Sequence, residues 1–231
     1  MKNRFLLSVL AIIICLSKQE LSAQSMLDVS VGTSLQDNFF TTVAYRYQVS
    51  NKFRIGLEAQ FGATKYRLMQ AKAVTRGNVS TISVPLTLRL YEKEQLRLDF
   101  YTKVGMRFQS LSSPTTQEVK DSLDNSTAFV FEGGLLVTVK LSEKLNFQSG
   151  VTFPVAFQTS PSAIFENIYP GMLHAGFNYK TSEKSTLFAK SLVGGGLGGN
   201  GDTQKLGWSL QGGMRFNFGK KSTPSFVEPT F

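Results

Sequence analysis

The sequence predicts an all-β fold: an up-and-down antiparallel transmembrane β-barrel of ten strands, with eight as the alternative count. Alternation of apolar and polar residues with a period of two recurs through almost the whole chain after residue 24, and no helical period accompanies it. Short charged turns and long polar loops follow one another in strict alternation, as strands that run up and down between two rims require. The composition agrees. With 42% hydrophobic residues, 20 Gly and 19 Phe in 231 residues, the chain is neither disordered nor collagen-like. A mean hydropathy of -0.06 excludes a bundle of apolar membrane helices.

The elements follow in order. Lys2 and Arg4 precede an apolar run from Phe5 to Leu16, and a polar stretch then ends at Leu21-Ser22-Ala23. This reads as a signal peptide, residues 1–23, cleaved after Ala23. The run is too short for a membrane helix, which needs about 20 residues. Cys15 lies inside it, so residues 24–231 contain no cysteine, and an exported chain of this kind must hold its fold by sheet closure or core burial. Net charge falls from +9 to +7 when three basic residues (Lys2, Arg4, Lys18) and one acidic residue (Glu20) are removed.

A weaker first strand spans 27–35. The second carries Val43, Tyr45, Tyr47 and Val49, the third Phe53, Ile55, Leu57, Ala59 and Phe61. Later runs extend over Ile82–Leu90, Leu96–Phe108, Phe129–Leu141, Leu145–Phe157 and Leu206–Phe218, with weaker segments at 173–179 and 187–193. Ser50-Asn51-Lys52, Glu92-Lys93-Glu94, Ser142-Glu143-Lys144 and Ser182-Glu183-Lys184 form the short turns, and the long loops cover 67–78, 111–126, 159–171 and 194–204. Many strands exceed the roughly five or six residues usual in soluble sheets. Pro85 and Pro154 fall inside strong strands, where a missing donor predicts local bulges.

In all ten strands, the face that carries the large apolar residues holds no charged residue. The other face holds Arg46, Arg54, Arg89, Arg97, Lys103, Arg107, Lys140, Lys190 and Arg215 against Asp28, Glu58, Asp99 and Glu132. A ten-stranded barrel is too narrow to enclose more than a dozen aromatic side chains, so the apolar face is placed outside, in lipid, and the charged face inside. With Val49 set opposite Phe53, Glu58 is expected diagonal to Arg46. With Leu96 set opposite Leu141, Glu132 is expected diagonal to Lys103 and Arg107. Such pairs would fill the lumen, and the basic excess would favour anions if water passes.

The segment ending Ser22-Ala23-Gln24, the hairpin pattern and the last strand, Leu206-Gly207-Trp208 through Met214-Arg215-Phe216-Asn217-Phe218, together carry a resemblance. Over residues 26–218 the chain resembles the small outer-membrane β-barrel proteins of Gram-negative bacteria, the porin-family or outer-membrane β-barrel domain proteins. The resemblance implies a barrel over 24–219, a periplasmic tail over 220–231, and a location in the cell outer membrane. It also implies an aromatic signal read by the barrel-insertion machinery, at Phe216 and Phe218 or at the terminal Phe231. The expected role is that of a porin-like or structural envelope protein with a narrow, basic, mostly filled lumen. An accessory subunit of an outer-membrane transport, secretion or assembly complex is the alternative, with the tail docking on an envelope partner.

Arg67, Lys72 and Arg76 crowd the first long loop, where basic side chains could bind lipopolysaccharide phosphates by charge-assisted hydrogen bonds. His174, the only histidine, is expected near the outer end of the eighth strand. The loop acids Asp121, Asp124, Glu166 and Asp202 show no catalytic spacing relative to it, so no catalytic residue is assigned. The run Gly194-Gly195-Gly196-Leu197-Gly198-Gly199 matches a dinucleotide fingerprint in letters only, since no helix follows, and it reads as an outer loop. No cofactor, metal or nucleic-acid partner is expected.

Overall fold

The computed structural model describes residues 24–34, 37–68, 73–111, 125–160, 164–198 and 204–218. The signal segment 1–23, the tail 220–231, Lys72 and Phe231 lie outside them. Ten strands follow one another: β1 (Ser25–Ser34), β2 (Asp37–Gln48), β3 (Phe53–Leu68), β4 (Ala73–Lys93), β5 (Leu96–Leu111), β6 (Ser126–Lys140), β7 (Leu145–Ser160), β8 (Ile164–Lys180), β9 (Ser185–Gly198) and β10 (Gln204–Phe218). Each pairs antiparallel with its sequence neighbour. β1 pairs with β10 over ten residue pairs, from Ser25↔Phe218 to Ser34↔Ser209, and closes the barrel. Closure leaves no sheet edge with unpaired backbone groups.

Three of the short turns share one local chemistry. In Ser50-Asn51-Lys52 and Ser142-Glu143-Lys144, the serine hydroxyl accepts hydrogen bonds from the backbone N–H two and three residues on, at 3.1–3.3 Å. Ser182 accepts the same bond from Lys184 N–H. A serine at the first turn position therefore supplies the acceptor that the reversing backbone lacks, a recurrent use of this side chain. The fourth turn, at Glu94-Gln95, is tighter and has no such serine.

The strands reach further than the alternation suggested. β4 begins at Ala73, β8 at Ile164, and β9 runs through the glycine-rich stretch to Gly198, pairing with both β8 and β10. Residues 194–198 are therefore strand and not loop. Glycines weaken the apolar signal without breaking the ladder, and the added Cβ at Gly194 would come within 2.5 Å of the Gly171 carbonyl, a close backbone approach that only glycine allows. The prolines behave differently from each other. The β7–β8 ladder shifts register between Thr152 and Val155, so Pro154 sits in an irregularity as expected. At Pro85 no bulge forms. The β3–β4 register is the same on either side of it, and its ring packs on Gly56, where a Cβ would meet the proline Cγ at 3.0 Å.

The outer wall is apolar. Val31, Leu57, Leu88, Phe100, Phe131, Phe153, Leu173, Phe177, Leu210 and Phe218 all point away from the barrel and are exposed on the isolated chain. Most residues between them are buried or half-buried and face the lumen. The lumen is not wholly polar. Tyr101, Leu136 and Phe188 project into it. Inward glycines on adjoining strands make room for the rings: a Cβ at Gly134 would lie 3.0 Å from Tyr101 Cε1, and one at Gly213 would lie 2.8 Å from Phe188 Cζ.

Candidate functional site

The lumen divides into two halves. Near the short turns, Arg97, Asp99, Thr138, Asn146, Gln148, Asn178 and Arg215 are each at most 1% exposed. Arg97 binds Asp99, two residues along its own strand, with Nε 3.0 Å and Nη2 2.9 Å from Oδ1. Asn178 Nδ2 donates to Gln148 Oε1 at 2.9 Å. Asp28 of β1 is shared by two guanidiniums. Arg215 of β10 grips it through Nε at 2.6 Å and Nη2 at 2.7 Å, while Arg46 of β2 donates from the other side. This bidentate geometry is the strong form of the arginine–carboxylate pair.

The pairing continues around the wall. Arg46 Nη2 lies 3.9 Å from Glu58, across the diagonal expected. Lys103 bridges two carboxylates, Glu58 at 3.2 Å and Glu132 at 3.0 Å, and Tyr101 donates its hydroxyl to Glu132. The β5–β6 register differs from the expected one. Leu96 faces Val139 rather than Leu141, so Glu132 is directly opposite Lys103 and not diagonal to it, and Arg107 faces Ala128. The tight Glu94-Gln95 turn and the register shift at Arg89/Tyr91 belong to the preceding hairpin and gave no clue to this slip of two residues.

The other charged positions are placed as follows. Arg54 is buried, and Arg89 leans on Glu92 at the rim of the short turn. Arg107 is buried higher in β5, and Lys140 is half-buried at the end of β6. Phe216 and Phe218 lie on the outer wall at the end of β10, against β1. Arg67 lies in β3, although its side chain is outside the described residues, and Arg76 is exposed on β4.

Above the filled half lies a cavity of about 200 Å³, lined among others by Glu58, Tyr101, Lys103, Glu132, His174, Lys190, Ser209 and Gln211. His174 sits in the body of β8 and not at its outer end. It is 4% exposed, and among the described residues neither ring nitrogen has a hydrogen-bond partner. Tyr101 and Gln211, which donates to Ser30 Oγ, were not singled out from the sequence, because an inward aromatic and an inward amide carry no distinctive spacing.

A closed, ten-stranded, all-antiparallel wall with an apolar exterior decides the architecture. The fold is that of the bacterial outer-membrane β-barrels. The translocator domain of the autotransporter NalP from Neisseria meningitidis superposes with a TM-score of 0.52 at 12% identity, covering 94% of this chain and 96% of that one. The β domain of the Bordetella autotransporter BrkA gives 0.53 at 12% identity, covering 85% and 98%. No protein-family model and no curated protein matches the chain. At such identity the likeness is one of fold, and the apolar wall fits that fold to the outer membrane.

Proposed function

We propose that this protein is a structural outer-membrane β-barrel whose lumen is closed to ion flow, with no catalytic step of its own. One observation carries the reading: the short-turn half of the lumen is packed with charged and amide side chains that are fully buried and bonded to one another. A conducting pore needs a continuous file of water, and ion pairs held this way replace it. The lumen is basic in balance, yet Arg46, Arg97 and Arg215 each hold a carboxylate. A guanidinium so engaged is a poor station for a passing anion.

The reading includes contacts at both rims. Arg76, exposed at the long-loop end of β4, remains a candidate for lipopolysaccharide phosphate. The aromatic end of β10 remains the candidate signal for the insertion machinery. Planar-bilayer recording of the detergent-purified chain tests the closed lumen, once heat-modifiable gel migration has shown it folded. Silent insertion is expected. Discrete anion-selective steps that weaken in Arg97→Gln would establish a channel and overturn the proposal.

A further inference from the structure

Apart from the Arg97–Asp99 pair, six charged residues of the lumen form one linked path through β10, β1, β2, β3, β5 and β6: Arg215, Asp28, Arg46, Glu58, Lys103 and Glu132. Opposite this path, on β8 and β9, His174 and Lys190 look into the same cavity. Among the described residues the two ring nitrogens of His174 have no hydrogen-bond partner, and Lys190 makes no ion pair, although the charges of Glu58 and Glu132 reach it. The path and Lys190 together hold four cations, Arg46, Lys103, Lys190 and Arg215, against three carboxylates, Asp28, Glu58 and Glu132, a net charge of +1. Lys190 is the half-buried cation left outside the ion pairs, and a bound anion supplies it with a direct partner.

The geometry also describes the rest of the ligand. His174 stands opposite Leu192, two residues from Lys190 on the adjoining strand, a diagonal relation that sets the two backbones roughly 7–8 Å apart. A neutral imidazole offers one donor and one acceptor nitrogen, and an ammonium offers donors only. The acceptor nitrogen requires a hydroxyl or amine from the ligand, while the ammonium requires a carboxylate. The cavity measures about 200 Å³. Since an empty cavity of about 150 Å³ holds a benzene-sized molecule, the room suits a compact molecule of six to nine or so non-hydrogen atoms.

We propose that this cavity binds a small hydroxycarboxylate, its carboxylate on Lys190 and its hydroxyl on His174, entering from the long-loop side. The site rests on the closed lumen proposed above, because the packed short-turn half is its floor.

The test exploits the single histidine of the chain. Protein labelled with ¹⁵N/¹³C-histidine, purified in detergent through a histidine-free tag, yields one imidazole signal set. Lactate is the probe, with lactamide as its uncharged counterpart of the same size and propionate as the acid without the hydroxyl. Lactate is expected to shift the His174 resonances saturably, propionate more weakly, and lactamide or equimolar sodium chloride not at all. Lys190→Gln is expected to weaken lactate about tenfold or more, as the loss of a hydrogen bond to a charged group does. Absence of a saturable shift with lactate, an equal response to lactamide, or an unchanged response in Lys190→Gln would overturn the site. The ligand comparison needs no variant, so it decides even if Lys190→Gln does not fold. Conductance of the same preparation separates the two readings. A channel that still binds lactate removes the closed lumen alone, and a silent barrel that ignores lactate removes the site alone.

Discussion

Asp28→Asn probes the closed half of the lumen most directly. The carboxylate is 5% exposed and serves Arg215 through two bonds of 2.6 and 2.7 Å and Arg46 through a third. Asparagine keeps the shape and one acceptor oxygen but removes the negative charge, leaving two buried guanidiniums, themselves 4% and 1% exposed, facing each other. Breaking a buried pair by removing one partner costs about 3–5 kcal/mol, because the remaining charge is left uncompensated. Here one carboxylate serves two arginines at close range, and only Arg46 has a second, Glu58, at 3.9 Å, so the upper part of that range is expected. Adding Arg46→Met removes one of the stranded charges and is expected to recover about half of the loss.

Trp208, the only tryptophan, lies on the outer wall of β10, and its fluorescence reports unfolding in denaturant with the protein in lipid vesicles. The transition midpoint should fall in Asp28→Asn with the slope unchanged, which marks a change in stability alone. A loss below about 1 kcal/mol, the value of an exposed pair, would mean that water reaches these groups. Both the packed layer and the closed lumen built on it would then be wrong.

Two further predictions concern the wall. Gly134→Val places a Cβ 2.5 Å from the Val151 carbonyl and 3.0 Å from the Tyr101 ring, so a loss of about 1–3 kcal/mol is expected in the same unfolding assay. Wild-type stability would refute the account of how Tyr101 is seated. Leu173, 67% exposed in the body of β8, faces lipid, and Leu173→Lys should cost about 2–4 kcal/mol in a bilayer. The same change at Phe218, at the short-turn rim, should cost about 1 kcal/mol or less, and equal penalties at both sites would misplace the hydrocarbon layer.

Much of the wall was legible along the chain. A period of two is a local property, and Phe129 to Leu141 reads as a strand with one apolar face whatever it pairs with. The repeated Ser-x-Lys turns marked the reversals for the same reason, since the serine bonds its own backbone. The Arg46–Glu58 pair across a three-residue turn was within reach, whereas Arg97 and Asp99 were placed on the inner face of one strand without being paired. Strand ends were less legible, because glycines and polar residues at the long-loop rim dilute the alternation without stopping the backbone ladder.

By itself, then, the order of residues determined the class of fold and which face meets lipid, and favoured ten strands over eight, since each depends on local spacing. Only the tertiary structure decided what the lumen contains. Arg215 reaches Asp28 across 187 positions of sequence because closure joins the last strand to the first. Lys103 meets Glu132 face to face because the β5–β6 register differs by two residues from the one that sets Leu96 opposite Leu141. The cavity that sets His174 and Lys190 against that path exists only once ten strands are curved into a ring, and its dimensions come from stagger and side-chain volume around the whole circumference.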